Sequence, residues 1–210
     1  MFTVIVPANA LKALAITAAH EDVRGYLCGV CVDTTTDGRV HLVSTDGHRM
    51  LIVNAKLDNG GERVAGRFIV PTEALKNAKP AHKNGPVLIS LNPEADHGGT
   101  YEVRGKVTVS GRCLDGRYPD WTRVISQTRD VRKPGAPAHF NFDYVGDFGR
   151  IATLLEEKCP RIVPNGDASA HVYLGKSAFG VLMPMRIGEK ETHAPLDWLE
   201  AVREDVAKAA

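Results

Sequence analysis

The chain has 210 residues, and its 26 basic against 25 acidic side chains leave a formal net charge of +1. That length can bury a substantial core in one or two domains, and the balanced charge gives no global basic field, so any contact with DNA must come from local clustering. No apolar run reaches the length of a bilayer span, no signal-peptide pattern opens the chain, and four cysteines do not make a disulfide scaffold at this size; the expectation is a soluble cytoplasmic protein with reduced thiols.

The first element is a β-rich stretch, Phe2-Thr3-Val4-Ile5-Val6, closed by Pro7. Proline ends the strand and fits the first turn of a helix, where its missing N–H costs nothing. Leu11, Leu14, Ala15 and Ala18 then fall at helical spacing and define one apolar face. Strand-like segments follow at Tyr26 to Val32, Val40 to Ser44 and Met50 to Val53, with hairpin-type turn signals at Asp37-Gly38 and Asp46-Gly47.

Val70-Pro71-Thr72-Glu73-Ala74-Leu75-Lys76 repeats Val6-Pro7-Ala8-Asn9-Ala10-Leu11-Lys12 at an offset of 64 residues. It follows a second β stretch, Arg67 to Val70, and opens a helix that Pro80 keeps short. Strands are expected at Val87 to Leu91, Tyr101 to Arg104 and Lys106 to Val109. A diverged third copy starts at Phe140. Asn141 or Asp143 can cap its helix, and Tyr144, Val145, Phe148, Ile151, Ala152 and Leu155 form an apolar stripe. Strands at His171 to Leu174 and Phe179 to Met183 complete it. The unit is strand–helix–strands, present three times. Residues 1–127 make one domain of two repeats (about 1–64 and 65–127), 128–137 read as a linker, 138–187 as a lone half-domain, and 188–210 as a helical tail.

Several residue groups admit more than one chemistry. Met183-Pro184-Met185-Arg186-Ile187 is either an edge strand with a bulge, because Pro cannot donate to a ladder, or an adaptable Met-rich binding surface. Cys28 and Cys31 have redox or zinc-like spacing, but positions i and i+3 of a strand face opposite sides, and no second Cys pair or His-x-x-x-His completes a metal site. Ser44, Asp46 and His48 invite a catalytic triad, yet no glycine elbow or oxyanion motif accompanies them. Asp46-Gly47 serves better as a turn presenting His48 and Arg49. Lys12, Lys76, Lys79, Lys83, Arg150, Lys158 and Arg161 lie on or beside the three helices, where a solvated face is the ordinary meaning of scattered cations.

Four motifs together resemble the bacterial sliding clamp, the β subunit of DNA polymerase III. Val23-Arg24-Gly25-Tyr26-Leu27-Cys28-Gly29-Val30 resembles the strand that opens that family's middle domain. Leu42-Val43-Ser44-Thr45-Asp46-Gly47-His48-Arg49-Met50 resembles its Ala-Thr-Asp-Gly-His-Arg-Leu segment. Leu114-Asp115-Gly116-Arg117-Tyr118-Pro119-Asp120-Trp121, with Arg123-Val124-Ile125, resembles the end of that domain, and Leu182-Met183-Pro184-Met185-Arg186-Ile187 resembles its C-terminal Met-Pro-Met-Arg-Leu. The motifs occur in the family's order and correspond to the middle domain plus the second half of the last one.

The resemblance implies an α+β DNA-clamp fold, with antiparallel sheets outside and helices inside. It implies a processivity factor rather than an enzyme, without cofactor or metal, holding polymerase or repair proteins near duplex DNA, with a clamp loader as a further partner. The family's peptide pocket carries over onto Leu27, Thr45, Gly47, His48, Arg49, Met50, Pro119, Arg123, Val124, Val181, Met183, Pro184, Met185 and Arg186, an apolar slot with polar edges suited to a peptide bearing bulky anchors. Lys12, Arg24, Lys76, Lys79, Lys83, Arg150 and Lys158 become DNA-facing residues that attract phosphates without reading sequence. The alternative is a binding module or decoy that captures clamp-binding peptides without encircling DNA.

Family rings contain twelve half-repeats and this chain supplies three, so a homotetramer restores that number, while half-domain pairing alone stops at a dimer. The tail from Gly188 departs most from the family. Leu196, Leu199, Val202 and Val206 follow Pro195 at helical spacing, so the tail docks as an amphipathic helix, or Leu196-Asp197-Trp198-Leu199 occupies the pocket as a tethered competitor.

Overall fold

The computed structural model describes residues 1–58, 64–81, 85–93, 98–126, 139–166 and 168–186. The expected linker, the expected tail and Lys83 lie outside these residues. Strand β1 (Phe2–Pro7) buries Phe2, Val4 and Val6 on one face, the period-2 alternation of a half-covered strand. Pro7 has φ −60° and ψ 134° and caps helix α1 (Ala8–Thr17) rather than sitting in its first turn. Its locked φ suits the extended end of the strand, one residue earlier than expected. Strand β5 (Gly66–Pro71) and the six-residue helix α2 (Thr72–Asn77) repeat the arrangement at Pro71.

The first repeat continues through a 3-10 turn (Gly25–Cys28) into β2 (Gly29–Thr34), β3 (Val40–Thr45) and β4 (Arg49–Leu57). The expected strand from Tyr26 therefore begins as a turn. Leu27 N–H donates to the Arg24 carbonyl at 2.8 Å, and the Leu27 carbonyl accepts from Ala19 N–H at 3.1 Å, which buries the Leu27 side chain. The second repeat adds β6 (Pro86–Asn92), β7 (Thr100–Arg104) and β8 (Thr108–Arg112), followed by a short unforeseen helix, α3 (Trp121–Ser126).

The third repeat opens with α4 (Phe142–Leu154). Asn141, rather than Asp143, caps it, its Oδ1 accepting from Asp143 N–H at 2.9 Å. Of the expected stripe, Phe148, Ile151 and Ala152 are buried, while Tyr144, Val145 and Leu155 are half-buried. Strands β9 (Arg161–Asn165), β10 (Ala168–Leu174) and β11 (Ala178–Leu182) follow. Strand β9 was not among the expected strands; among the described residues it pairs with β10 on one side only, and such an edge tolerates the missing donor of Pro164.

Among the described residues the strands form one antiparallel sheet, in the order β5-β2-β3-β4-β1-β6-β7-β8, with β11 also joined to β4 and β10 and β9 beyond it. Strand β4 has two partners along the same edge. Residues Arg49 to Val53 pair with β11, and Lys56 and Leu57 pair with β1. The third repeat is thus not isolated: its β11 side is paired with β4, and β9 is left as its edge among the described residues. Its sheet continues that of the first repeat, and α4 packs beside α1 over one shared core. Phe148 of α4 lies so close to β11 that a Cβ on Gly180 would meet its ring at 2.4 Å.

Alternation sorts the strand residues onto two faces. Val30, Val32, Leu42, Leu51, Val53, Val70 and Leu182 join the core beneath α1, α2 and α4. Cys31, Val43, Met50, Ile52, Ile69 and Val181 belong to a second cluster on the opposite face, closed by Leu27, Tyr118 and Trp121. This is an α+β fold with its main helix layer on one side of an antiparallel sheet. Among the described residues no helix is long and apolar enough to cross a membrane.

Candidate functional site

The face opposite the helix layer carries a cavity of about 230 Å³. Four segments converge on it. The first is the 3-10 turn, contributing Arg24 and the buried Leu27. The second is the β3–β4 turn. Thr45 Oγ1 donates to the Arg49 carbonyl at 2.7 Å, Asp46 Oδ1 accepts from His48 and Arg49 N–H at 2.9 and 3.0 Å, and Gly47 takes the left-handed φ of +94° that the tight reversal requires. The third is the stretch from Tyr118 to Val124. The fourth is Val181 to Met183, locked to the turn by Met183 N–H donating to the His48 carbonyl at 2.8 Å.

The floor is apolar and held by polar anchors. Tyr118 Oη donates to the Val43 carbonyl at 3.1 Å, and its phenol, buried and close to Cys31, is pushed well above its ordinary pKa. Trp121 Nε1 donates to Asp33 Oδ2 at 2.7 Å, the same oxygen that receives Arg67 Nε at 2.9 Å. Met183 stands at the rim, 42% exposed.

The rim is charged but internally paired. Arg24 Nε and Nη2 donate to the Asp22 carboxylate at 2.9 and 2.8 Å, hydrogen bonds that hold Asp22 down at about 2. Arg49 Nε donates to Asp46 Oδ2 at 3.0 Å. The Arg49 guanidinium also pairs with Asp147 of α4 and lies over the Tyr144 ring, 4.5 Å from its centroid. Burial pushes the Asp46 carboxyl above its ordinary range. His48 stacks on Tyr144 with ring centroids 6.1 Å apart.

Ten of the fourteen residues expected at the pocket line this cavity: Leu27, Thr45, Gly47, His48, Arg49, Met50, Pro119, Val124, Val181 and Met183. Arg123, Pro184, Met185 and Arg186 do not. Met185 instead bridges to His139, its N–H donating to the His139 carbonyl at 2.7 Å, and its side chain is exposed. Three lining residues were absent from the expected set. Arg24, expected to face DNA, stands at the cavity because the 3-10 turn carries it to the face opposite α1. Tyr118 and Trp121 flank Pro119, and the spacing 118, 121, 124 was the available signal, since Trp121 and Val124 share one side of a helical turn.

The remaining expected cations sit elsewhere. Lys12, Lys76, Lys79, Arg150 and Lys158 are exposed on or beside the helices. Lys76 pairs with Glu73 at 2.7 Å, and Arg150 pairs with Asp147. Ser44 bonds Thr17 of α1 at 2.6 Å, on the helix side and away from His48, so no triad assembles. Cys31 is buried and its thiol is pushed far up in pKa by desolvation. Among the described residues no cluster of His, Cys, Asp or Glu has the composition of a metal site. The arrangement suits binding of an extended apolar ligand with a few polar contacts.

Residues 4–120 match a family model described as the DNA polymerase III beta subunit, central domain. The beta sliding clamp of Caulobacter vibrioides is 28% identical over 144 residues, covering 66% of this chain and 36% of the relative. That of Vibrio cholerae is 30% identical over 156 residues, covering 70% of this chain and 38% of the relative. The chain therefore spans under two-fifths of the length of these curated relatives. Among solved structures, the DNA polymerase III subunit beta from Pseudomonas aeruginosa superposes with a TM-score of 0.63 at 18% identity, over 89% of this chain and 67% of that one. The DNA polymerase sliding clamp from Bacillus subtilis gives 0.62 at 16% identity, over 89% and 64%. These structures share the fold.

Proposed function

Since the chain belongs to the DNA polymerase III beta subunit family, we propose that it is a sliding-clamp-like processivity factor of DNA replication, acting in the cytoplasm. Its pocket captures short peptides of a polymerase or repair protein, and its helix face lies against duplex DNA. It raises the effective concentration of a client at its template and performs no chemistry of its own. A clamp loader fits the same reading.

The observation that carries this proposal is the cavity whose floor is Leu27, Met50, Tyr118, Trp121 and Val181, on the sheet face opposite α1, α2 and α4. Two faces with different chemistry suit a protein that holds two partners at once. A peptide of the Gln-Leu-x-Leu-Phe type should bind at micromolar strength, about −8 kcal/mol, measured by calorimetry on the full chain. Absence of binding at millimolar peptide would defeat the pocket reading.

One observation favours the non-encircling alternative. All four segments of the pocket come from a single chain, so peptide capture needs no ring. A ring instead requires copies to join, and β8 and β9 are sheet edges paired on one side only among the described residues. We favour a homotetramer, with a dimer as the smaller alternative. Native mass and a low-resolution image decide: a monomer at micromolar concentration would leave the binding module, and a closed ring would support topological tethering.

A further inference from the structure

One buried carboxylate serves two arginines that look toward different parts of the surface. Asp147 of α4 is 6% exposed, and its neighbours Phe148 and Ile151 are fixed in the core, so it cannot follow either partner outward. Its Oδ2 pairs with Nη1 of Arg49, and its Oδ1 accepts from Nη2 of Arg150. The Arg49 side chain is 11% exposed and lines the cavity. The Arg150 side chain is 71% exposed, on the helix side. A charge shared this way ties the two cations together. When an anion neutralises Arg150, Asp147 loses one competitor and attracts Arg49 more strongly, and Arg49 becomes a poorer partner for a negative group in the cavity.

We propose that Asp147 is a positioning residue that couples the two faces with negative sign: a phosphate held by Arg150 weakens the cavity's hold on a peptide carboxylate at Arg49. The coupling is reciprocal, so an acidic peptide also weakens the phosphate contact. Because Arg150 is largely solvated, screening limits the effect to about two- to fivefold. This proposal rests on reading the cavity as a peptide pocket and the helix face as the phosphate side. Its consequence is selective: clients without a carboxylate near Arg49 are indifferent to DNA, whereas acidic ones bind best before DNA is engaged.

The test compares two nearly isosteric peptides, Gln-Leu-Asp-Leu-Phe and Gln-Leu-Asn-Leu-Phe, on the full chain. The ratio of their affinities isolates the charge. Arg150→Gln should lower the Asp-to-Asn ratio about two- to fivefold, and a saturating short DNA duplex at low salt should do the same to the wild type but not to Arg150→Gln. Asp147→Asn should raise the ratio and make it insensitive to the duplex. An unchanged ratio in Arg150→Gln, or an equal duplex effect in wild type and Arg150→Gln, overturns the coupling. If neither peptide binds, the pocket reading fails, and the Arg49 Nε–H resonance then decides the coupling alone. A shift of that resonance in Arg150→Gln supports it, and an unmoved resonance overturns it. Arg150 is exposed, so this variant folds even if Asp147→Asn does not.

Discussion

Trp121 rests on Asp33: its indole N–H donates to Oδ2 at 2.7 Å across 88 residues of sequence, tying the post-β8 segment to the C-terminal end of β2. Arg67 shares that oxygen at 2.9 Å and reaches Asp120 at 3.4 Å. The wall of the cavity is therefore positioned by a buried charge on the sheet. Asp33→Ala leaves the indole N–H and Arg67 without their acceptor. It should cost about 1–3 kcal/mol of stability and weaken peptide binding about tenfold. Thermal denaturation and calorimetry on the same sample check both; full peptide affinity in a destabilised variant would remove Trp121 from the site.

Met183 and Leu27 should behave differently although both line the cavity. Met183 is exposed at the rim, so Met183→Ala should leave the melting temperature within about 1–2 °C while weakening the peptide roughly five- to thirtyfold. Leu27 is buried, and Leu27→Asp puts an unpaired carboxylate into the second core, a cost of several kcal/mol. Denaturant unfolding beside peptide titration separates the two effects. Equal stability losses would mean that Met183 is a structural residue.

On the helix face, duplex binding should be weak, independent of sequence and steep in salt. Reversing Lys12 and Lys79 to Glu should reduce the slope of log affinity against log salt by about 0.9 for each phosphate that is no longer neutralised, with unfolding unaffected because both are exposed. Fluorescence anisotropy across a salt series reads the slope. A slope unchanged in the double variant would place DNA elsewhere.

His171 predicts an acid limb. Among the described residues neither ring nitrogen has a hydrogen-bond partner, the residue is 6% exposed, and it sits among Tyr173 and Phe179 with ring centroids 6.0 and 5.1 Å away. Burial lowers its pKa, and burial does the same to His41. Since the folded-state pKa lies below the unfolded value, the contribution is full above about pH 6.5 and is lost as the pH falls through the folded value. His171→Phe should stabilise the fold by about 1–2 kcal/mol and shrink the loss between pH 7 and pH 5, His41 supplying what remains. Melting curves at the two pH values check this; an acid limb of unchanged depth would assign it to His41 alone.

The strand–helix repeat was legible because Pro7 and Pro71 punctuate it and alternation marks the strands. Part of the cavity floor was legible, and only through resemblance, since Leu27, Met50 and Val181 look like ordinary core residues when taken singly. Three things were hidden. Strand β9, which carries Pro164, was missed, because sequence does not reveal that a strand lies at an edge. The segment after β8 was placed at the pocket by resemblance alone, and its Tyr118 and Trp121 anchors were missed, since the Trp121–Asp33 bond spans most of the first domain. The register that joins β11 to β4 is long-range too, and local patterns are blind to it.

The double pairing of β4 has a consequence for folding. Removing residues 139–186 would strip the partner from Arg49 to Val53 and expose Leu51 and Val53 together with the flank of α1. Neither piece is then an independent unit, and the described residues should unfold in one cooperative transition. Backbone amides of β4 facing β11 should show a deuterium-exchange protection that corresponds to the free energy of global unfolding, as high as that of β2 and β3. The seam that holds the third repeat therefore also closes the first.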